Sequence, residues 1–442
     1  MYDNALDQKW DAARLLRFAF PTVVMMLFMG LYTIVDTVFI ARAVGTDALS
    51  AVNVVCPVIN ITVGLGTMLA AGGNAVISRE MGIGQKQEAK EDFTLLVIMA
   101  AVIGSVIFAV GEMGLDGIVS ALGASDLLFP YCKAYLGVLL LFMPANMLQT
   151  VFSNLFVTAG RPGLGFGLSV LAGLANVILD YIFIVLCGLG IRGAALGTGC
   201  GYCIPAAAGG VFFLQNRGSL SFTGLKWKWK IIRESVVNGS SEMVGQLAAA
   251  VTTFLFNITM MELAGEDGVA AVTIMIYSQF LLNTLYIGFS MGVAPVIGFN
   301  YGSRDSTRQK KVFRICMGVV TASSLLVFGL SMLGGPWAVG VFAPDGAEVH
   351  RIAAEGFPVF SWSFLFCGLN IFTSAMFTAL SNGRVSAVLS FLRTFGLLTG
   401  GILLLPRFCG VMGVWLAVPI AEGIMFLVSV LCLILYRKRY LY

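Results

Sequence analysis

A carboxylate and an amide interrupt an apolar stretch in the first half of the chain. The segment LAGLANVILDYIFIVL (171–186) carries Asn176 and Asp180. On a helix the two residues share one face, one turn apart. An Asp at the centre of a membrane helix costs roughly 2.5–3.5 kcal/mol on insertion scales, so a cavity, a partner or a cation must stabilise it. The carboxylate oxygens of Asp180 and the amide oxygen of Asn176 suit Na⁺, and the carboxylate can also take up a proton. A structural hydrogen bond between neighbouring helices is the alternative.

A second carboxylate, Asp36, lies in the apolar run LYTIVDTVFIA. Carboxylates within transporter helices commonly carry protons or ions, so we interpret Asp36 as functional. Pro21, earlier in the same segment, predicts a kink or hinge, although it could simply shape packing. Thr198, in AALGTGCG, could add a hydroxyl, or could bond back to its own helix.

Other polar residues within apolar segments are candidates for a substrate site. Glu242 lies four residues before Gln246, and Gln279 lies four residues before Asn283, so the members of each pair share a helix face. A carboxylate among aromatic residues suits an organic cation. Hydrogen bonding between helices is the alternative for the amides. The candidates are Glu242, Gln246, Tyr277, Gln279, Asn283 and Asn154.

The last two apolar segments carry opposite charges, Arg393 in SFLRTFG and Glu422 in VPIAEGIMF. An unpaired Arg within a membrane helix would be costly. We therefore predict that the two residues form a structural ion pair within the second half, in preference to a substrate role.

Composition places these residues in a membrane. Of 442 residues 58% are hydrophobic and 11% are charged, with a mean hydropathy of +0.91. No soluble domain of this size has such a composition, which predicts an all-α polytopic membrane protein. No nucleotide-binding GxxxxGK[ST], no hydrolase motif and no TVGYG-like filter is present. We therefore expect neither an enzyme, a nucleotide-driven pump nor a K⁺ channel, and no cofactor.

Twelve apolar segments can be counted, and several exceed the roughly 20 residues that cross a bilayer. With a cytoplasmic N-terminus, 21 of the Lys and Arg residues fall on the cytoplasmic side and 5 on the other. The positive-inside rule then predicts that both termini are cytoplasmic. The segments lie near 14–43, 48–79, 92–112, 127–159, 163–187, 193–215, 233–263, 268–299, 312–333, 350–380, 384–405 and 411–436.

An internal repeat divides the chain. Three short matches share an offset of 220 residues, VGTDALSAV with AGEDGVAAV among them. Six segments in each half start on the same side, so the halves are related by a pseudo-twofold axis along the membrane normal, with a substrate site between them. We assign 1–216 and 233–442 to two six-helix bundles and 217–232 to a cytoplasmic linker. The KWKWK run of the linker is typical of contact with lipid headgroups, and we expect no nucleic-acid partner.

Four motifs together resemble those of the multidrug and toxic compound extrusion (MATE) family, over essentially the whole chain. They are VDTVFIARAVGTDALSAV, GRPGLGF, ANVILDYIFI and GLGIRGAALGT, and their character is closest to the MepA-like and DinF-like prokaryotic branches. The resemblance implies a monomeric antiporter of the cytoplasmic membrane that exports amphipathic, usually cationic compounds and contributes to antibiotic resistance. It also implies two six-helix bundles that rock between inward-open and outward-open states.

The resemblance also implies a coupling site. The family's first-half cation site maps onto Asp36, Asn176, Asp180 and Thr198, with Asp36 and Asp180 as the Na⁺ ligands if Na⁺ is the coupling ion. The family usually has Pro where this chain has Tyr181, which predicts a straighter helix here.

A flippase for lipids or lipid-linked sugars, from the same wider superfamily, is the alternative function. Such proteins resemble this chain in fold, but usually carry more helices and a strongly cationic central cavity. The charges within the apolar segments here are mostly acidic, with Arg393 the exception. This charge balance favours cations as cargo.

Overall fold

The computed structural model describes residues 5–216, 218–342, 348–440 and 442. Within those residues the chain is helical and contains no β-strand, which confirms the predicted all-α class. Two segments, Tyr181–Leu186 and Leu392–Leu398, are π-helical. The α-helices are α1 (Ala12–Ala43), α2 (Thr46–Ile83), α3 (Lys86–Met113), α4 (Leu115–Ala121), α5 (Phe129–Leu141), α6 (Met143–Thr158), α7 (Pro162–Asp180), α8 (Ile191–Gln215), α9 (Trp229–Gly302), α10 (Ser306–Phe342), α11 (Glu348–Ser361), α12 (Ser363–Ala379), α13 (Gly383–Phe391), α14 (Thr399–Cys409) and α15 (Val411–Tyr440).

The helices account for the twelve predicted crossings. Over the described ranges nine helices are long and apolar enough to span a membrane, and the bent pairs α5–α6 and α11–α12 add two spans. Helix α9 has 74 residues, which would extend about 110 Å against a hydrocarbon core of about 30 Å. Gly265 interrupts it with φ 62° and ψ −151°, a conformation that favours glycine. Helix α9 therefore supplies two crossings, which brings the spans among the described residues to twelve.

Local sequence explains where several helices begin and end. The carboxylate of Asp11 accepts a hydrogen bond of 2.8 Å from the backbone N–H of Arg14 and so caps α1. Asp305 caps α10 in the same way, through the N–H of Arg308 at 2.9 Å. Gly84 ends α2 with φ 92°, the left-handed conformation common after helix C-termini.

The two predicted halves meet along α2 and α9, and at one end their backbones touch. Gly72 packs so closely on the carbonyl of Ser235 that a Cβ would not fit, and Gly302 packs in the same way on the carbonyl of Arg79. Close approach at small residues is how membrane helices gain packing contacts. An ion pair of 2.5 Å joins Arg79 to Glu234 at the same place. We call this the basic end, because it carries the Lys- and Arg-rich loops.

The same faces of α2 and α9 are uncovered towards the other end. Pro57 and Ile61 on α2 are exposed, as are Ala249 and Thr253 on α9. These residues continue the contact faces at the helical spacing of three to four. The halves thus touch at the basic end, and a cleft opens away from it.

The predicted linker packs against the first half. Lys228 bonds to Asp92 at 2.7 Å and to Glu91 at 3.2 Å, and Lys226 bonds to Glu91 at 2.7 Å. Burial alone would lower the pKa of Lys228, but the adjacent acids raise it above its ordinary value. The neighbouring Trp227 is 61% exposed, at the level where lipid headgroups are expected.

Candidate functional site

A half-buried and a fully buried carboxylate from distant parts of the chain meet in the first half. Asp36 comes from α1, and Asp180 is the last residue of α7, 1% exposed. Their carboxyl groups lie within side-chain hydrogen-bonding reach of each other. Neither ionised group can donate to the other, and no other described group donates to the oxygens of Asp180 or to Oδ1 of Asp36. The pair therefore needs a shared proton or a cation to be stable.

The two remaining residues of the predicted cation site also lie here. Asn176 is one turn before Asp180 on α7, and its Nδ2 donates to Oγ1 of Thr198 on α8 at 3.4 Å. The amide oxygen of Asn176 is buried and has no donor within the described chain. Together the four side chains offer several oxygens at one place, and oxygens are the ligands that alkali cations prefer. The site therefore fits Na⁺ or a proton.

Glycines on α8 make room for the pair. Gly193, Gly197 and Gly201 recur every four residues. Gly197 and Gly201 face α7 and Gly193 faces the π-helical segment after it, and such small residues permit close packing. A Cβ at Gly197 would collide with Oδ1 of Asp180. The carboxylate of Asp180 therefore fills the space that a larger residue at position 197 would take.

Regular α-helical geometry ends directly after Asp180. The N–H of Cys187 donates to the carbonyl of Ile182 at 2.9 Å, an i to i−5 bond of the π type. The presence of Tyr181 in place of a proline predicts a straighter helix. The structure shows that residues 181–186 nevertheless change from α-helical to π-helical geometry, although no proline is present. Single-turn π segments are frequent at functional sites.

Sequence reasoning missed three tyrosines that lie near the pair. Tyr32, Tyr135 and Tyr202 are each close enough to Asp36 to interact with its charge. The sequence could have indicated two of them. Tyr32 lies four residues before Asp36 and Tyr202 lies four residues after Thr198, so each shares a helix face with a predicted site residue. Tyr135, on α5, had no such signal, since its distance to the pair depends on tertiary packing alone.

The predicted substrate residues are spread along α9 and α6. No hydrogen bond or ion pair joins any two of them among the residues that the structure describes. On α9, Gln246 packs with Met243 against Gly64 of α2, and Glu242 lies one turn nearer the basic end. Both residues therefore lie where the contact between the halves gives way to the cleft.

The other substrate candidates differ in their surroundings. Tyr277 is 47% exposed, and Gln279 on the same turn is half-buried. The amide oxygen of Asn283 is buried without a donor in the described part of the chain. In contrast, Nδ2 of Asn154 donates to the carbonyl of Thr150 at 3.2 Å, within its own helix. A substrate role for these residues stays a prediction, and this bond weakens it for Asn154.

Arg393 and Glu422 form the ion pair that the sequence predicts. Both Nε and Nη2 of Arg393 donate to Oε1 of Glu422, at 2.9 and 2.6 Å. Asn370 donates to Oε2 of Glu422 at 2.7 Å and accepts from Ser429 at 2.9 Å. The buried carboxylate of the second half is thus fully paired within the protein.

Pro21 leaves α1 unbroken, since Ala12–Ala43 is one α-helix with the proline inside it. A hinge at this position stays a prediction about motion. On either side of Pro21, α1 packs tightly on α9, with Ala19 against Gly292 and Val23 against Gly288.

Comparison with known proteins supports the assignment made from the motifs. The sequence model of the MatE family matches residues 21–182 and 243–399, one range in each predicted half. Multidrug export protein MepA of Staphylococcus saprophyticus is 23% identical over 433 residues, covering 96% of this chain and 94% of MepA. MepA of Staphylococcus aureus is 25% identical, with the same coverage.

The fold matches solved structures over its whole length. A structure described as the outward-facing conformation of a multidrug resistance MATE family transporter superposes with a TM-score of 0.91 at 21% identity, covering 99% of this chain and 98% of that one. A MATE crystallised with MaL6 gives 0.92 at 21% identity, covering 100% and 99%. With the family match extending over both halves, the chain belongs to the MatE family of membrane transporters.

Proposed function

We propose that this protein is a secondary active antiporter that exports amphipathic, cationic organic compounds in exchange for Na⁺ or H⁺. The observation that carries the proposal is the pair of Asp36 and Asp180, which has no positively charged partner in the described chain. The similarity to proteins named as multidrug exporters supports drug-like molecules as cargo.

The coupling step follows from the repulsion between the two carboxylates. At hydrogen-bonding distance two negative charges in a buried site are unfavourable, so the pair holds a proton or a cation. Na⁺ requires that proton to leave, and the two ions therefore compete for one site. If the loaded and empty pairs favour different packing of α1, α7 and α8, ion flow drives the halves between two arrangements.

The cleft supplies the second element of alternating access. The halves touch at the basic end and part towards the other. With the basic end in the cytoplasm, as the positive-inside rule predicts, this arrangement is open outward. Motion of the halves about the contact, with Pro21 as a hinge in α1, would open the basic end in turn. We further propose a multi-pass monomer in a prokaryotic cytoplasmic membrane.

The orientation has its own test. A single Cys in place of Lys226 or Lys310, in a variant without the nine native cysteines, should resist a membrane-impermeant maleimide in intact cells. Both side chains are exposed, so the protein itself would not shield them. Rapid labelling of both from outside would reverse the assignment.

Transport in proteoliposomes tests the coupling. Drug uptake driven by ΔpH and by ΔpNa should be measured separately for the wild type, Asp36→Asn and Asp180→Asn. Each substitution should abolish ion-driven transport while drug binding persists without its normal response to pH or Na⁺. If Asp180→Asn transports drug against its gradient at the wild-type rate and with the same ion dependence, the coupling site lies elsewhere.

A further inference from the structure

The segment before α1 connects the two halves at the basic end. Leu6 is fully buried and Trp10 is 2% exposed, both within the main hydrophobic core. Ala5 packs against Gly160 of the first half. Asp7 forms an ion pair of 2.6 Å with Arg308 on α10, in the second half. The segment is thus held by both halves.

A cavity of about 370 Å³ lies between this segment and the first turns of α10. Its volume falls within the range of small-ligand sites, about 300–1,000 Å³. The polar groups that line it are Lys9, Trp10, Asp305, Thr307, Arg308 and Lys311.

The charges of the cavity are only partly compensated. Arg308 is already paired, with Asp7 at 2.6 Å and with Asp305 at 3.1 Å. Lys9 and Lys311 are both exposed, and within the described ranges neither forms an ion pair. Two uncompensated cations from different parts of the chain therefore border one cavity, which favours an anion.

A buried donor adds an independent observation. Trp10 lines the cavity, and its indole N–H is buried with no acceptor among the described residues. A buried donor without a partner costs about 1–3 kcal/mol, so an acceptor at this place is favoured. An oxygen of an anionic ligand would satisfy the donor and compensate the two lysines together.

The position of the cavity identifies the class of anion. Helix α1 begins at Ala12 and α10 at Ser306, and both are membrane-spanning helices. The cavity therefore lies at their ends, where phospholipid headgroups are found. Five basic residues between 304 and 314 strengthen the attraction to an anionic leaflet.

We propose that this cavity binds the phosphate of an anionic phospholipid headgroup. Lys9 and Lys311 provide the opposite charges. The indole N–H of Trp10, which has almost no exposed surface in this structure, turns towards the headgroup and donates to a phosphate oxygen. Because the walls of the site belong to the segment leading into α1 and to α10, the bound headgroup favours the arrangement in which the halves are closed at the basic end.

Binding of phosphatidylglycerol to the purified protein tests the site, with phosphatidylcholine as the neutral lipid. Each lysine near an anionic surface contributes roughly a fivefold gain in affinity. The double variant Lys9→Gln/Lys311→Gln should therefore bind phosphatidylglycerol about 25-fold more weakly by native mass spectrometry. Lys310→Gln is the matched control, because Lys310 is exposed on the same turn but does not line the cavity. Equal losses in the control and the double variant would overturn the proposal.

Two further measurements separate the specific site from general attraction. Trp10→Phe removes the indole N–H together with part of the buried ring, so the small cavity should lower thermal stability in phosphatidylcholine. If the donor binds the lipid, phosphatidylglycerol should also bind several-fold more weakly and should stabilise this variant less than it stabilises the wild type. Unchanged lipid affinity in this variant would overturn the role of Trp10. If millimolar inorganic phosphate competes fully with the lipid, the ligand is a free anion and the lipid proposal is wrong.

The effect on conformation can be measured at the closed contact. Ser235 is 1% exposed against Gly72. Ser235→Cys, in the variant without native cysteines, should react with a soluble maleimide more slowly in phosphatidylglycerol than in phosphatidylcholine. Equal rates would show that the headgroup binds without favouring closure.

Discussion

Each half of the protein has a buried carboxylate next to a π-helical segment, Asp180 in the first half and Glu422 in the second. The surroundings that stabilise these two carboxylates differ. In the second half Glu422 is paired with Arg393 at 2.6 Å and hydrogen-bonded to Asn370. In the first half Asp180 lies beside another acid, Asp36, and no donor in the described chain reaches its oxygens. Glu422 therefore has a cationic partner within the protein, whereas no cationic partner of Asp36 or Asp180 is found in the described part of the chain.

This difference indicates which half exchanges ions with solution. A carboxylate paired with a tethered guanidinium is neutralised whether or not an ion is present, so its stability depends little on Na⁺ or pH. Two adjacent carboxylates without such a partner depend directly on a proton or cation. The contrast supports the proposal that coupling belongs to the first half, while the Arg393 pair neutralises the buried carboxylate of Glu422 in the second half.

The largest expected effect comes from removing the tethered cation. Arg393→Leu leaves Glu422 buried without its charge partner, and breaking such a pair typically costs 3–5 kcal/mol. We expect a large drop in thermal stability in detergent and poor expression. The double variant Arg393→Leu/Glu422→Gln removes both charges and should recover most of the stability, with ion-dependent transport retained. Loss of ion dependence in a stable double variant would assign coupling to the second half as well.

A smaller effect is expected from filling the space beside Asp180. Gly197→Ala places a methyl group where Oδ1 of Asp180 lies, and overpacking costs typically 1–3 kcal/mol. The carboxylate must move, so the half-maximal Na⁺ or H⁺ concentration for transport should rise at least several-fold. Gly210→Ala on the same helix is the control, since a Cβ there has no neighbour within 4 Å. Equal ion dependence in Gly197→Ala and the control would contradict the placement of the site.

The tyrosines near the pair give a third, weaker test. Tyr135 is 4% exposed and close to both carboxylates. If its hydroxyl oxygen contributes to cation binding, Tyr135→Phe removes about 1 kcal/mol, or roughly fivefold in ion affinity. Tyr131→Phe, one turn away on α5, should leave the affinity unchanged. Ion-dependent transport measured over a Na⁺ and pH series distinguishes the two variants.

Residue spacing, and the free-energy cost of an unpaired charge in a membrane, predicted several residues of the carboxylate pair's site and the Arg393–Glu422 ion pair. Asn176 and Asp180 were found because a four-residue spacing puts two polar groups on one face of an apolar helix. The partner of Arg393 was found because an unpaired guanidinium is too costly in a membrane. Tyr135 and the contact of Gly197 with Asp180 could not be found, because only tertiary packing brings α5 and α8 to the pair. The use of the Asn154 amide by its own helix likewise appears only in the structure.

The smallest expected effect concerns cargo, and it tests whether the second half contributes a carboxylate to the substrate. Glu242 is half-buried on α9, one turn from the contact of Gly239 with Met68, and forms no ion pair within the residues described. Unlike Glu422, it therefore remains available to an organic cation at the inner end of the cleft. Glu242→Gln should lower resistance to a monocation such as ethidium about threefold to fivefold, the effect of one partly exposed charge of roughly 1 kcal/mol. Resistance to a neutral substrate should stay the same. The matched control is Glu262→Gln, an exposed acid farther along α9. An equal loss for charged and neutral compounds would point to folding or coupling, and would remove Glu242 from the substrate site.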